Sequence, residues 1–366
     1  MRIIHCADLH LDSRLESNLG RETAKTRKGE ILNTFTKMID YACKNDVSVI
    51  LISGDLFDKN KVSSTAANTV RNAIITHPEI TFFYLKGNHD SEGLFTESGS
   101  VPQNLKLFGN QWISYPLSDG KITITGIEIN EENRGIIYSS LLLNNSDFNI
   151  VMLHGQEGTS NANTKDRAEI INLKQLKNKS IDYLALGHIH FQKIEKLDAR
   201  GIYCYPGCLE GRGFDECGEH GFMMMDIDTD SLKYTLQFTP FAFRKLFALF
   251  PDISGCRTSA EIISVIENEI SDNGCLQKDL LKIVLKGNVA IDCEKDLHYI
   301  ASVFADRFFF VKILDETAPL FSAQDYLLDT SLKGEFVRNV LNNPEIDETD
   351  KPYIIKIGIE ALMECK

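Results

Sequence analysis

Residues 47–58 read VSVILISGDLFD. The segment 47–52 is apolar apart from Ser48, short and rich in β-branched residues, and the turn-forming Gly54 with Asp55 ends it. That is the pattern of a buried strand whose end delivers a carboxylate into a loop. Upstream, Ile31, Phe35, Met38, Ile39 and Ala42 recur at helical spacing within 27–45 and give one apolar face. Downstream, a second helical pattern over 64–76 leads into another apolar run, 80–85. Helix, strand, helix and strand in this order predict βα units stacked on a sheet, and therefore an α/β protein.

The same ending recurs along the first 190 residues. Residues 2–7 form an apolar run that closes in ADLH at 7–10; the run at 80–85 closes in KGNHD at 86–90. Segments 150–153 and 181–186 lead into LHG at 153–155 and GHIH at 187–190. All five motifs fall where strands give way to loops, the edge at which layered α/β proteins build sites. Further sheet is expected at 202–205 and 222–227, with a half-exposed strand at 121–129.

Together the motifs supply seven oxygen or nitrogen donors: Asp8, His10, Asp55, Asn88, His154, His188 and His190. Hard divalent cations such as Mn²⁺ take carboxylate, amide oxygen, imidazole and water, and no motif position is a cysteine. Asp55, with two carboxylate oxygens, suits a bridge between two ions roughly 3.5–4 Å apart. Two dications against two carboxylates leave a net positive pair, which attracts a phosphodiester. The attacking group is then water rather than a side chain, and the leaving oxygen still needs a proton. His89 stands one residue out of phase with Asn88 and is the candidate general acid; Asp58, three residues past Asp55, is the candidate to orient it.

Composition narrows the setting. With 366 residues the chain is expected to hold a large domain plus appendages. No apolar stretch approaches the roughly 18 residues of a membrane span, and the apolar start IIHCA is too short for a signal sequence. Nine scattered cysteines, odd in number, fit reduced thiols and a cytoplasmic protein, with no membrane association. Cys204, Cys208 and Cys217 lack paired metal-ligand spacing and read as ordinary thiols, and Met223 to Met225 as core. Arg212 and His220, near the last motif, fit phosphate contacts, but surface polar positions are the preferred reading. The net charge of −13 excludes nucleic-acid capture by bulk electrostatics, so any DNA contact must be local or shared with a partner.

The motif-bearing pattern stops near residue 240. Domains are expected at 1–240, at 241–322 as a small α/β unit, and at 323–366 as a helical segment. Thr258 and Glu261 have capping-box spacing, and Ile262, Ile263, Ile266 and Ile270 continue them as an amphipathic helix. Strands at 280–285 and 308–314 flank a helical run at 294–304. Past residue 325, Leu332, Phe336, Val337, Val340 and Leu341 form one helical stripe and Ile355, Ile359 and Leu362 another.

On ADLH, GDLFD, GNHD, HG and GHIH the chain resembles the calcineurin-like metallophosphoesterase superfamily. Asp58–Lys59–Asn60, YPG at 205–207, GRGFDE at 211–216 and SLKGEFVRNVL at 331–341 resemble its SbcD-type bacterial DNA repair nucleases, YhaO-like relatives included. The resemblance implies a layered β sandwich flanked by helices, with a small α/β capping domain and C-terminal helices. It implies one metal on Asp8, His10, Asp55 and His190, a second on Asp55, Asn88, His154 and His188, and His89 as the catalytic histidine. It further implies manganese-dependent DNA cleavage in exonuclease and endonuclease modes, homodimerisation, and helices that dock on a coiled-coil ABC ATPase resembling SbcC. Two other readings stand beside it: a metallophosphoesterase for cyclic nucleotides, other small phosphodiesters or phosphoproteins, and a mainly structural ATPase regulator. The appended domain and the complete ligand set weigh against them.

Overall fold

The apolar run that ends in SGDLFD forms strand Val47–Ser53, at the heart of a six-stranded sheet. The computed structural model describes all residues except 16–18, 59–61, 92–94, 96–100, 159–169, 291–292, 321–325, 327 and 365–366. Lys59, Asn60 and most of the loop after Gly158 thus lie outside the described residues. The first sheet runs in the order Tyr234–Pro240, Gly221–Ile227, Arg2–Cys6, Val47–Ser53, Thr81–Leu85, Leu105–Leu107. Its last four strands are parallel, and Gly221–Ile227 joins them antiparallel. The second sheet runs Lys193–Lys196, Ile202–Tyr205, Tyr183–Gly187, Phe148–His154, Ile122–Gly126, Ile113–Leu117, parallel through its middle four strands.

The two sheets pack face to face. Ile3, Val49, Leu51 and Phe83 from the first share one core with Ile124, Ile150, Met152 and Ala185 from the second. Burial on both faces explains why the strands read as continuous apolar runs rather than alternating ones. Helix Arg21–Lys44 buries Ile31, Phe35, Met38, Ile39 and Ala42. It begins six residues before the expected start at 27, because Gly20 at its N-cap has no side chain to accept an N–H and leaves no start signal. Helix Ser64–Ile75 begins on Ser63, whose hydroxyl caps Ala66 N–H. The expected half-exposed strand is instead an internal one: Ile122, Ile124 and Thr125 are fully buried, because its neighbours cover both faces.

The chain divides into two compact units, Met1–Lys245 and Leu246–Lys366. In the second, strands Leu246–Leu249, Leu280–Leu285 and Phe310–Asp315 make a parallel sheet whose core includes Ile262, Ile266, Ile300 and Phe304 from two helices. Helix Ser259–Asp272 carries the capping box of Thr258 and Glu261 expected from their spacing. Helices Leu332–Leu341 and Lys351–Glu364 pack on each other through Val337, Val340, Ile355 and Ile359, and the latter also touches strand Ala318–Leu320. Among the described residues no helix is long and apolar enough to cross a membrane.

Candidate metal centre

Parallel pairing brings the ends of the motif-bearing strands level. In the first sheet Cys6 lies beside Ile52 and Ser53 beside Leu85; in the second Gly187 lies beside His154. Asp8 and His10 follow Arg2–Cys6, Asp55 follows Val47–Ser53, and Asn88 and His89 follow Thr81–Leu85. From the second sheet come His154, at the end of its strand, and His188 and His190 just past Tyr183–Gly187. The loops turn through sparsely populated backbone: φ is positive at Asp8, His10, Asp55 and His188, a conformation that costs on the order of 1–3 kcal/mol per non-glycine residue and concentrates at functional sites. Gly54, at φ +92°, is required twice over, since a Cβ there would lie 2.1 Å from Nδ1 of His154.

All seven expected donors meet at this edge, in two groups. Asp8, His10 and His190 present donor atoms within 4.8 Å of one another, and so do Asp55, His154 and His188. Asn88 Oδ1 stands 3.1 Å from His154 Nε2. Asp55 joins the groups: its Oδ1 accepts the His89 backbone N–H at 2.8 Å, while Oδ2 faces His10 Nε2 at 3.6 Å and His154 Nε2 at 3.4 Å. Asp8 accepts the His188 backbone N–H on both oxygens, at 2.9 and 3.0 Å, and so ties the sheets together.

The outer hydrogen bonds decide what the ring nitrogens can do. His154 Nδ1 donates to Ser53 O at 2.8 Å, His10 Nδ1 to Asp58 Oδ1 at 2.7 Å, and His190 Nδ1 to Glu216 Oε1 at 2.6 Å. Each of these partners accepts only, so each Nδ1 carries a proton and each Nε2 is the nitrogen left for a cation or a second proton. Yet Nε2 of His10 and of His190 face each other at 3.2 Å, and Nε2 of His154 faces two oxygens. Lone pairs converging on lone pairs repel unless a proton or a metal cation lies between them. The donor set therefore fits two hard divalent ions, with Asp55 Oδ2 common to both positions.

The electrostatics agree. Burial opposes ionisation of Asp55, but His154 and His10 outweigh it and hold its carboxyl well below the usual range. Burial likewise works to discharge His154, but Asp55 wins and lifts it to about 9, so that without an ion a proton on Nε2 takes the place between these acceptors that a cation would fill.

Other residues depart from their sequence reading. Asp58 lies 3.3 Å from His89 Nδ1, but it holds His10 more closely and also accepts from Ser13. It is a hub between His10, a candidate ligand, and the half-exposed His89. Arg212 is not a surface position: it is largely buried, 3.1 Å from Glu216 and 3.8 Å from Asp58. Nor is His220, which is 3% exposed and donates from Nε2 to Glu216 O at 2.7 Å. Cys204 and Cys208 are buried and Cys217 partly so, and all three are free thiols.

Two working residues carried no signal of their own. Glu216 lies 26 positions after His190, in a motif noted only for its resemblance; burial opposes its charge, but His190 and Arg212 bring it down to about 2. Asp90 accepts the N–H groups of Leu56, Phe57 and Gly87, clamping the Asp55 loop to the Asn88 loop, while burial and the nearby Asp55 push it up to about 6.

The family model for calcineurin-like phosphoesterases matches residues 1–192, just over half of the chain and all of the ligand-bearing part. The chain belongs to the calcineurin-like phosphoesterase family. As such it is a metal-dependent phosphoester hydrolase built on that family's layered fold. Among curated relatives, the uncharacterised metallophosphoesterase YhaO of Bacillus subtilis is 28% identical over 65% of this chain and 60% of its own length. The DNA double-strand break repair protein Mre11 of Sulfurisphaera tokodaii is 28% identical over 78% of this chain and 73% of its own. A solved dimetal phosphatase from Danio rerio is 14% identical, with TM-score 0.43, covering 66% of this chain and 99% of that one.

Proposed function

We propose that this phosphoesterase is a two-metal, manganese-dependent DNA phosphodiesterase. In this reading Asp8, His10, Asp55 and His190 hold one ion and Asp55, Asn88, His154 and His188 the other. The observation that carries it is Asp55 Oδ2, set between His10 Nε2 and His154 Nε2 while Oδ1 is engaged by the His89 backbone. Two divalent ions there supply Lewis-acid activation of the phosphoester and of the attacking water.

The chain's own groups do the rest. Ser53 O, Asp58 and Glu216 hold three imidazoles in the ligating tautomer. His89, with Nδ1 turned to Asp58, hands a proton to the leaving oxygen; the Asp58 carboxylate stabilises the imidazolium that precedes transfer.

DNA as substrate rests on the relatives. The alignment with the archaeal Mre11 takes in 78% of the chain, more than the 245 of 366 residues in the first unit, so the likeness reaches the appended unit. The resemblance of its motifs to SbcD-type nucleases extends the proposal to a homodimer beside a coiled-coil ATPase resembling SbcC, and its scattered cysteines to the cytoplasm. A net charge of −13 makes that partner the source of DNA affinity.

Incubation with Mn²⁺ and labelled single- and double-stranded DNA, beside a cyclic nucleotide, tests the proposal. Cleavage of DNA is expected, and His89→Ala is expected to slow it by roughly 10²–10⁴-fold with metal content unchanged. Turnover of the cyclic nucleotide alone, with DNA intact even when the ATPase is supplied, overturns the DNA assignment. Full turnover in the metal-loaded His89→Ala variant overturns the role of His89.

A further inference from the structure

A second cluster of metal-capable groups lies at the opposite edge of the first sheet, where its strands begin. Cys43 sits in the last turn of helix Arg21–Lys44, just ahead of strand Val47–Ser53. His77 and Glu79 flank Pro78 in the connection from helix Ser64–Ile75 to strand Thr81–Leu85. The two strands pair in parallel, with Val49 beside Thr81, so the connections that lead into them are neighbours. Cys43 Sγ, a ring nitrogen of His77 and a carboxylate oxygen of Glu79 all lie within 4.8 Å of one another.

We propose that Cys43, His77 and Glu79 form a zinc site, separate from the phosphoesterase centre, with water as the fourth ligand. The donor set differs in kind from the one at the other edge. Thiolate, imidazole and carboxylate in a three-plus-water arrangement suit the borderline-soft Zn²⁺, whereas the oxygen-rich centre suits harder ions.

The histidine is held in a tautomer that leaves one ring nitrogen able to ligate. Its Nδ1 lies 2.7 Å from Ala73 O, which only accepts, so Nδ1 carries the proton and Nε2 keeps the lone pair. Thr76 Oγ1, 3.2 Å away, donates its own proton to Asn72 O and is a second acceptor for the same N–H. This is the outer-partner pattern of metal-bound histidine, and His154 shows it with Ser53 O.

The other two groups are poised for exchange. Cys43 donates from Sγ to Glu79 Oε1 at 3.0 Å. When Zn²⁺ binds, the S–H bond breaks, its proton leaves to solvent, an S–Zn bond forms, and Glu79 turns from accepting that proton to ligating the ion. Cys43 and His77 are half-buried and Glu79 is exposed, so the ion has a way in and the water ligand a place to stand. A bound ion would tie the end of one helix to the end of the next.

Cobalt gives the test a readout independent of turnover. The full chain, kept in a non-thiol reductant, is titrated with Co²⁺ and followed by absorbance. A thiolate-to-cobalt charge-transfer band in the near ultraviolet is expected, saturating at one equivalent of the thiolate site and removed by Zn²⁺. Cys43→Ser abolishes the band while keeping the apo melting temperature, since Ser can still donate to Glu79. Asp55→Ala keeps the band, which separates this site from the phosphoesterase centre. His77→Ala weakens Co²⁺ binding at this site on the order of 100-fold. No band in the unmodified chain, a band that survives Cys43→Ser, or one indifferent to both His77→Ala and Glu79→Ala overturns the proposal.

Discussion

The two sheets of the phosphoesterase unit carry different groups to the same edge. The first presents carboxylates and an amide, Asp8, Asp55 and Asn88, together with His10 and His89. The second presents only imidazoles, His154, His188 and His190. Their support differs as well. His10 leans on Asp58 from its own sheet, whereas His154 is oriented by Ser53 O of the opposite one, and the His188 backbone holds Asp8 across the gap. Neither layer holds a cation site by itself. The centre exists because the core between the layers closes and brings acids against bases, which couples catalytic geometry to packing of residues such as Phe83 and Met152.

The strongest way to break that pairing is at the residue both groups share. Asp55→Asn removes the charge between His10 and His154 and is expected to lower kcat/KM on the order of 10³-fold, about 4 kcal/mol, with the circular dichroism spectrum unchanged. Steady-state kinetics at saturating Mn²⁺ checks it; a loss under roughly tenfold would show that Asp55 Oδ2 is not the common ligand.

A smaller effect sharpens the comparison. Asp58→Asn in the first sheet and Glu216→Gln behind the second should each weaken Mn²⁺ binding by roughly 10–100-fold, read by calorimetry. Only Asp58→Asn should also slow turnover once metal is saturating, because Asp58 alone touches His89 as well as a ligand. Equal kcat losses in the two variants would remove the hub role of Asp58.

The smallest effect marks where the comparison stops. Thr258→Ala deletes the capping box of a helix in the second unit and is expected to cost about 1 kcal/mol in denaturant unfolding of that unit, with Mn²⁺ affinity unchanged. A shift in Mn²⁺ affinity would mean that the second unit shapes the centre.

Legibility followed the range of the interaction. The seven donors, the βα succession and the Thr258 capping box were readable because each depends on residues within a few positions of one another. Helix Arg21–Lys44 began early because Gly20 offers no capping side chain. Ile122–Gly126 was read as half-exposed because alternation along a strand cannot reveal which neighbours cover it. Glu216 and Asp90 were missed as working residues, since a carboxylate shows its role only through the distant N–H or imidazole it meets. Arg212 and His220 were placed on the surface for the same reason; both are paired inside the loop that follows strand Ile202–Tyr205.

The order of motifs along the chain therefore determined the fold class, the reaction class and a candidate donor set, because strand-end loops carry such groups in local sequence. Only the tertiary structure decided which oxygen of Asp55 lies between the two groups, which nitrogen of His10, His154 and His190 is tied to an outer acceptor, and that Cys43 meets His77 and Glu79. Those are contacts between segments tens of residues apart or on opposing sheets, and local propensity contains no term for them.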